Sequence, residues 1–154
     1  MKILLLTHER EINRATNTGS LAIESSKGLV ERIIWERTKP NRELTKLIES
    51  NEALLLYAEG EPSRSTIENY ENIVIIDGTW QEARKMFNKS PYLKQAPQST
   101  LALQKDSAYT LRRNQPAGGL CTIECIIEVL KIKGQQEMAS ELTQKFVEFN
   151  NQEK

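Results

Sequence analysis

The sequence is short of the residues that most often announce a chemistry. It carries one histidine and two cysteines in 154 positions. Cys121, Cys125 and the distant His8 cannot complete a four-ligand zinc site without carboxylates, and two thiols are too few for a disulfide framework. No metal is therefore expected. Four positions apart in an apolar stretch, the cysteines fall on one face of a helix and read as reduced, small core residues of a cytoplasmic protein. No apolar run approaches the ~20 residues that span a bilayer, so no membrane partner is expected. The opening Met1-Lys2-Ile3-Leu4-Leu5-Leu6 is too short for a signal-peptide core, lacks a small-residue cleavage site behind it, and reads as a buried first strand. Net charge is missing too, since 21 basic residues balance 21 acidic ones. Taken as a total, that speaks against a nucleic-acid partner.

What is present is the composition of an ordinary folded domain, 38% hydrophobic and 27% charged, without repeats, low-complexity tracts or linkers. One domain spanning 1–154 is expected. Ile3–Leu6 and Leu29–Trp35 read as strands, and Ala53–Tyr57 and Ile73–Ile76 are continuous apolar runs suited to strands buried on both faces. Helical spacing marks Asn41–Ser50, Thr79–Asn88, Leu120–Lys133 and Gln136–Phe149, with Thr79 and Glu82 in capping-box register. Such alternation predicts an α/β fold, a mainly parallel sheet flanked by helices.

Open parallel sheets bind ligands outside the carboxyl ends of their strands. The residues there are polar: Thr7-His8-Glu9, Glu59-Gly60-Glu61 and Asp77-Gly78-Thr79-Trp80. In the last, Gly78 lets the chain turn steeply, and Thr79 caps a helix whose free amides suit an anion; a plain strand–turn–helix junction with a core tryptophan fits as well. Leu111–Glu124 (LRRNQPAGGLCTIE) sets paired arginines ahead of Gly118-Gly119 and a buried helix. The arginines could bind an anion or RNA phosphate there, or sit solvated on a surface loop. His8-Glu9-Arg10-Glu11 offers an acid–base pair or a structural histidine, and Thr16–Ser20 a polar turn that caps a helix.

In order, these stretches resemble the DTW-domain family, named for an Asp-x-Thr-Trp motif. The match comprises Thr16-Asn17-Thr18-Gly19, Asp77-Gly78-Thr79-Trp80-Gln81-Glu82-Ala83-Arg84-Lys85-Met86, Ser90-Pro91, Leu111-Arg112-Arg113 and Gly118-Gly119-Leu120-Cys121-Thr122-Ile123-Glu124. It runs from His8 into the final helices. The resemblance implies a tRNA-uridine aminocarboxypropyltransferase, which moves the 3-amino-3-carboxypropyl group of S-adenosylmethionine onto N3 of a uridine and releases methylthioadenosine. It also implies kinship with the SPOUT RNA methyltransferases and hence a trefoil-knotted domain, which patterning alone could not suggest. By the same resemblance Asp77 is the candidate catalytic base. A carboxylate with a reference pKa of ~3.9 is weak for that task unless burial raises it, and a second reading has Asp77 orient a substrate while water takes the proton. Gly78, Thr79, Trp80, Gly118, Gly119, Leu120 and Thr122 are expected to hold S-adenosylmethionine. Asn17 and Thr18 are expected to meet the RNA substrate, and Arg84, Lys85, Arg112 and Arg113 RNA phosphates or the ligand carboxylate.

The sequence departs from the family in two places. Many relatives carry a cysteine-rich zinc-binding segment before the first strand, whereas this chain starts at the strand. Cys121 and Cys125 stand where small residues such as Ser and Ala are expected, and a thiol is a weaker donor than a hydroxyl, which counts against a side-chain ligand bond from Cys121. Two competing readings stay open, a SPOUT-type RNA methyltransferase and a non-catalytic RNA- or nucleoside-binding module. A homodimer is common among knotted relatives, and the last helix is where its seam would lie. Charge is unevenly distributed: residues 1–76 and 120–154 each carry −2, and 77–119 carry +4. Neutrality overall therefore conceals a basic stretch around the expected active-site rim, where phosphate contacts would give salt-sensitive binding to tRNA.

Overall fold

The computed structural model describes residues 1–57, 67–99 and 121–151. Five parallel strands form one sheet: β1 (Lys2–Thr7), β2 (Val30–Ile34), β3 (Ala53–Leu56), β4 (Asn72–Asp77) and β5 (Gln98–Ser99), in the order β2-β1-β4-β3-β5. The described helices are α1 (Thr18–Ser25), α2 (Arg42–Glu49), α3 (Trp80–Asn88), α4 (Pro91–Lys94), α5 (Thr122–Ile132) and α6 (Gln136–Asn151). This is the expected α/β arrangement of a parallel sheet flanked by helices. No described helix is long and apolar enough to cross a membrane.

Successive residues of a strand face opposite sides of the sheet, so the unbroken apolar runs feed two cores. Ile3, Leu5, Ile73 and Ile75 join Ala22 of α1, Ile126 and Leu130 of α5, and Leu142 and Phe146 of α6. Leu4, Leu6 and Val74 join Leu44 and Ile48 of α2, Met86 of α3 and Leu93 of α4. Each such side chain contributes about 1.5–3 kcal/mol when fully buried, which is why strands this apolar occupy the middle of the sheet.

The topology also locates a crevice. After β1 the chain passes through α1 to β2 on one side; after β4 it passes through α3 and α4 to β5 on the other. The two helices lie on opposite faces, so β1 and β4 part company at their carboxyl ends, the geometry at which open sheets admit ligands. Thr7 and Asp77 are register partners at that point.

Local chemistry explains the helix ends. Asn17 caps α1, its Oδ1 accepting from the Ser20 amide at 2.8 Å. Thr79 and Glu82 complete the anticipated capping box on α3. At α5 the Thr18 hydroxyl accepts from the Ile123 amide at 3.1 Å, so a residue of α1 caps a helix more than a hundred positions away. Gly134, at φ +80°, ends α5: its amide and that of Gln135 return to the carbonyls of Lys131 and Leu130.

Expected and observed bounds differ modestly. β4 runs one residue further and takes Asp77 as its last member, and Thr79 and Cys121 stand just outside their helices as caps. The 3-10 turn Glu9–Glu11, α4 and β5 were not foreshadowed, because segments of two to four residues are too short to display a period. Both cysteines are free, and burial pushes both thiols up, away from the reactive thiolate.

Candidate active site

Asp77 is 1% exposed at the carboxyl end of a central strand. A buried carboxylate persists only where donors replace water, and here they come from four elements. Its Oδ1 accepts from the Thr122 hydroxyl at 2.9 Å and the Asn17 amide at 3.1 Å. Its Oδ2 accepts from the Thr7 hydroxyl at 3.1 Å and Asn17 at 3.2 Å, with Arg32 Nη2 at 3.6 Å. Burial pushes the Asp77 carboxyl above the ordinary carboxylate range. The bonds from Thr122 and Asn17 and the charge of Arg32 pull against that rise, and the charge of Glu11 adds to it.

A shell of residues that the sequence did not single out as site residues holds these donors in place. Arg32, on the edge strand β2, sends Nε to the Thr7 hydroxyl at 3.1 Å and Nη2 to Asn17 Oδ1 and Ser20 Oγ at 3.0 Å each. Asn17 divides its amide between two buried carboxylates, Asp77 and Glu11, the latter at 3.0 Å and 0% exposed. Arg14 bonds to Glu11 and grips Glu82 at 3.2 and 3.1 Å, so the 3-10 turn is tied to the first turn of α3. Burial works against ionisation of Glu82, but the Thr79 amide and Arg14 outweigh it and hold the carboxyl below its usual value. With every group ionised, three carboxylates face two guanidiniums.

His8 lies beside this shell and is buried. Its ring stacks on Trp35 at 5.7 Å, its Nδ1 accepts from the Arg10 amide at 3.1 Å, and Glu82 Oε2 stands 3.8 Å away. The core indole is that of Trp35, whose Nε1 donates to Ser90 Oγ at 2.8 Å.

The expected site residues therefore divide. Asn17, Asp77 and Thr122, from three separate stretches, meet at one carboxylate, and Gly78, Thr79 and Trp80 follow it at the same edge, all half-buried. Trp80 is not a core residue; it carries the Arg84 guanidinium 5.0 Å above its ring. Arg84 and Lys85 are exposed. Asn17 and Thr18, expected to meet the RNA substrate, are 4% and 3% exposed; Asn17 donates to Asp77, and the Thr18 hydroxyl accepts from the Ile123 amide. Arg112, Arg113, Gly118, Gly119 and Leu120 lie outside the described residues, as does Glu59-Gly60-Glu61. Among the described residues no group of three or more His, Cys, Asp or Glu side chains is arranged to hold a metal.

The family profile described as DTW domain matches residues 1–154. The chain is 29% identical over 143 residues to tRNA-uridine aminocarboxypropyltransferase 2 of Drosophila melanogaster, a match covering 85% of this chain and 55% of that protein. It is 26% identical over 143 residues to the protein of the same name from Macaca fascicularis, covering 84% of this chain and 47% of that protein. The chain thus spans about half the length of the curated relatives it matches. No solved structure matches it significantly.

Proposed function

The chain belongs to the DTW-domain family, and from that premise we propose that it transfers the 3-amino-3-carboxypropyl group of S-adenosylmethionine to N3 of a uridine in tRNA, releasing methylthioadenosine. The observation that carries this reading is the convergence of Asn17, Asp77 and Thr122, 60 and 45 positions apart in sequence, on one buried carboxylate at the switch point between β1 and β4. A structural carboxylate would not need to sit where open sheets bind ligands. The curated relatives are named for this activity on tRNA uridine.

The sulfonium of S-adenosylmethionine makes its γ-carbon an electrophile when it is bound, so the protein has two tasks: to align N3 with that carbon and to take the N3 proton. Position matters most, since attack at the methyl group would give methylation instead. Gly78, Thr79 and Trp80 are the described residues assigned to the ligand, while Thr122, expected beside them, gives its hydroxyl to Asp77. The amides of Trp80 and Gln81, at the start of α3, suit its carboxylate. Gly118, Gly119 and Leu120 are assigned to the same ligand through the family pattern. Arg84, Lys85, Arg112 and Arg113 are assigned to tRNA phosphates, with support from the +4 charge of residues 77–119. The same reading includes a SPOUT-type trefoil knot, a cytoplasmic location and a homodimer. The parallel sheet with helices on both faces is consistent with the first of these.

The test is incubation of the purified protein with unmodified total tRNA and S-adenosylmethionine, with mass spectrometry of small molecules and digested nucleosides. Methylthioadenosine together with a heavier uridine supports the proposal. S-adenosylhomocysteine with a methylated nucleoside would replace it by a methyltransferase, and ligand binding without turnover by a binding module.

A further inference from the structure

Asp77 as it stands cannot meet a substrate. It is 1% exposed, and both its oxygens already accept from several donors. Thr122 holds one oxygen, Thr7 the other and an Asn17 N–H spans both, so this buried carboxylate is shut off from a proton arriving directly from outside. Whatever passes between Asp77 and the crevice must pass through one of its partners. Thr7 is fully buried, and its oxygen already accepts from Arg32 Nε. Asn17 is buried, with its carbonyl accepting from Ser20 and Arg32. Arg32 reaches solvent but has no acceptor. Thr122 differs from all three. It heads α5 at the sheet edge, is half-buried, and gives its single hydroxyl proton to Asp77 Oδ1 at 2.9 Å, while among the described residues no donor is bonded to its oxygen.

We propose that Thr122 is a catalytic residue that takes the uridine N3 proton and hands its own hydroxyl proton to Asp77. The inference rests on the transferase reading and says how the buried carboxylate takes part in it. In the step, the N3–H bond breaks and its proton moves to Thr122 Oγ, as the Thr122 O–H proton moves to Asp77 Oδ1. The N3 electron pair forms the bond to the γ-carbon, and the carbon–sulfur pair leaves with sulfur as the neutral thioether of methylthioadenosine. A sulfonium and a carboxylate become a thioether and a carboxylic acid, so charge is annihilated within the pocket. Burial, which would hinder a carboxylate that had to remain ionised, favours this outcome. Asp77 acts through Thr122, and Asn17, Thr7 and Arg32 aim it.

The test is single-turnover transfer to unmodified tRNA, followed by methylthioadenosine release, for wild type, Thr122→Val and Thr122→Ser. Thr122→Val should lower the rate by about 10²–10⁴-fold and Thr122→Ser should keep it within roughly tenfold, with S-adenosylmethionine affinity held in both and the thermal midpoint, lowered in Thr122→Val because Asp77 loses a donor, restored in Thr122→Ser. In mixtures of light and heavy water the wild-type rate should fall along a bowed curve, as two protons in flight require. A linear dependence, or full turnover by Thr122→Val, would overturn the relay and leave the transferase reading intact. Loss of ligand affinity in step with the rate would overturn it also, making Thr122 a ligand-binding residue. A wild type that releases no methylthioadenosine on any tRNA overturns the transferase reading, and the relay with it.

Discussion

Gly19→Ala sets two known effects against each other. Gly19 lies in the first turn of α1, where helix propensity alone predicts a gain of about 0.5–1 kcal/mol on adding a methyl group. The structure predicts the opposite. A Cβ built on Gly19 would stand 2.8 Å from Asp77 Oδ2, 3.0 Å from Leu5 Cδ1 and 3.2 Å from Asn17 Oδ1. None of these neighbours yields easily: Leu5 is fully buried, Asn17 is the cap of α1, and the short Asp77 side chain is pinned by Thr7, Asn17 and Thr122. Overpacking of this kind costs typically 1–3 kcal/mol, so the steric effect wins and the variant loses about 1–2 kcal/mol net. For a chain of this size that is a fall of roughly 2–8 °C in thermal midpoint. Urea unfolding followed by far-ultraviolet circular dichroism measures the loss directly, and transfer should fall too because the carboxylate is displaced. A Gly19→Ala protein as stable as wild type would refute the reasoning, since it would mean that the Asp77 pocket can yield where the hydrogen bonds say it cannot.

Three further outcomes follow from the same network. Arg14→Ala should destabilise the fold by about 3 kcal/mol, at the low end for a buried pair because the guanidinium is 35% exposed; the loss should shrink in acid as Glu82, whose carboxyl Arg14 helps hold below its usual value, takes up a proton, and equilibrium unfolding across pH would show it. Asp77 has its carboxyl raised above 3.8 in the fold, so ionising it costs more folded than unfolded, and wild-type stability from this group declines as pH rises through that window. Asp77→Asn should accordingly abolish transfer yet gain on wild type in relative stability between acid and neutral pH; a gap that does not change with pH would contradict the assignment. Lys85→Ala should weaken tRNA binding about equally for all sequences and lower the slope of affinity against salt by roughly 0.7–0.9, measured by filter binding at several ionic strengths.

Much of the scaffold was legible because it rests on short-range patterns. Apolar runs such as Ala53–Leu56 and Ile73–Ile75 show their burial in their composition, and Thr79 and Glu82 show a helix start in their spacing. The first helix was visible only as a cap at Thr16–Ser20, since TGSLAIES is too short and too small-sided to display a clear stripe. At the site, Asp77 stood out because a polar residue leaves an apolar strand there, and Thr122 only through the family pattern that contains it. Arg32, Glu11 and Arg14 carried no comparable signal. Arg32 lies in the strand-like run Leu29–Trp35, which names no partner for its side chain, and Glu11 entered only as part of the acid–base neighbourhood around His8. Glu11 is 0% exposed, a placement that no local rule could suggest, because its stability depends on Asn17 and on Arg14.

The single histidine, the two cysteines and the balanced charges bounded the chemistry from the sequence alone, and the order of short motifs pointed to a family. Those properties are carried by the chain itself and survive whatever shape it takes. Which polar residues would be inside could be decided only by the tertiary structure. A carboxylate is buried or exposed according to the donors that surround it, and the donors to Asp77 come from β1, the cap of α1, β2 and the start of α5. Folding at the β1–β4 switch point brings them within hydrogen-bond range, buries Asn17 and Thr18, and leaves Thr122 half-buried beside Asp77.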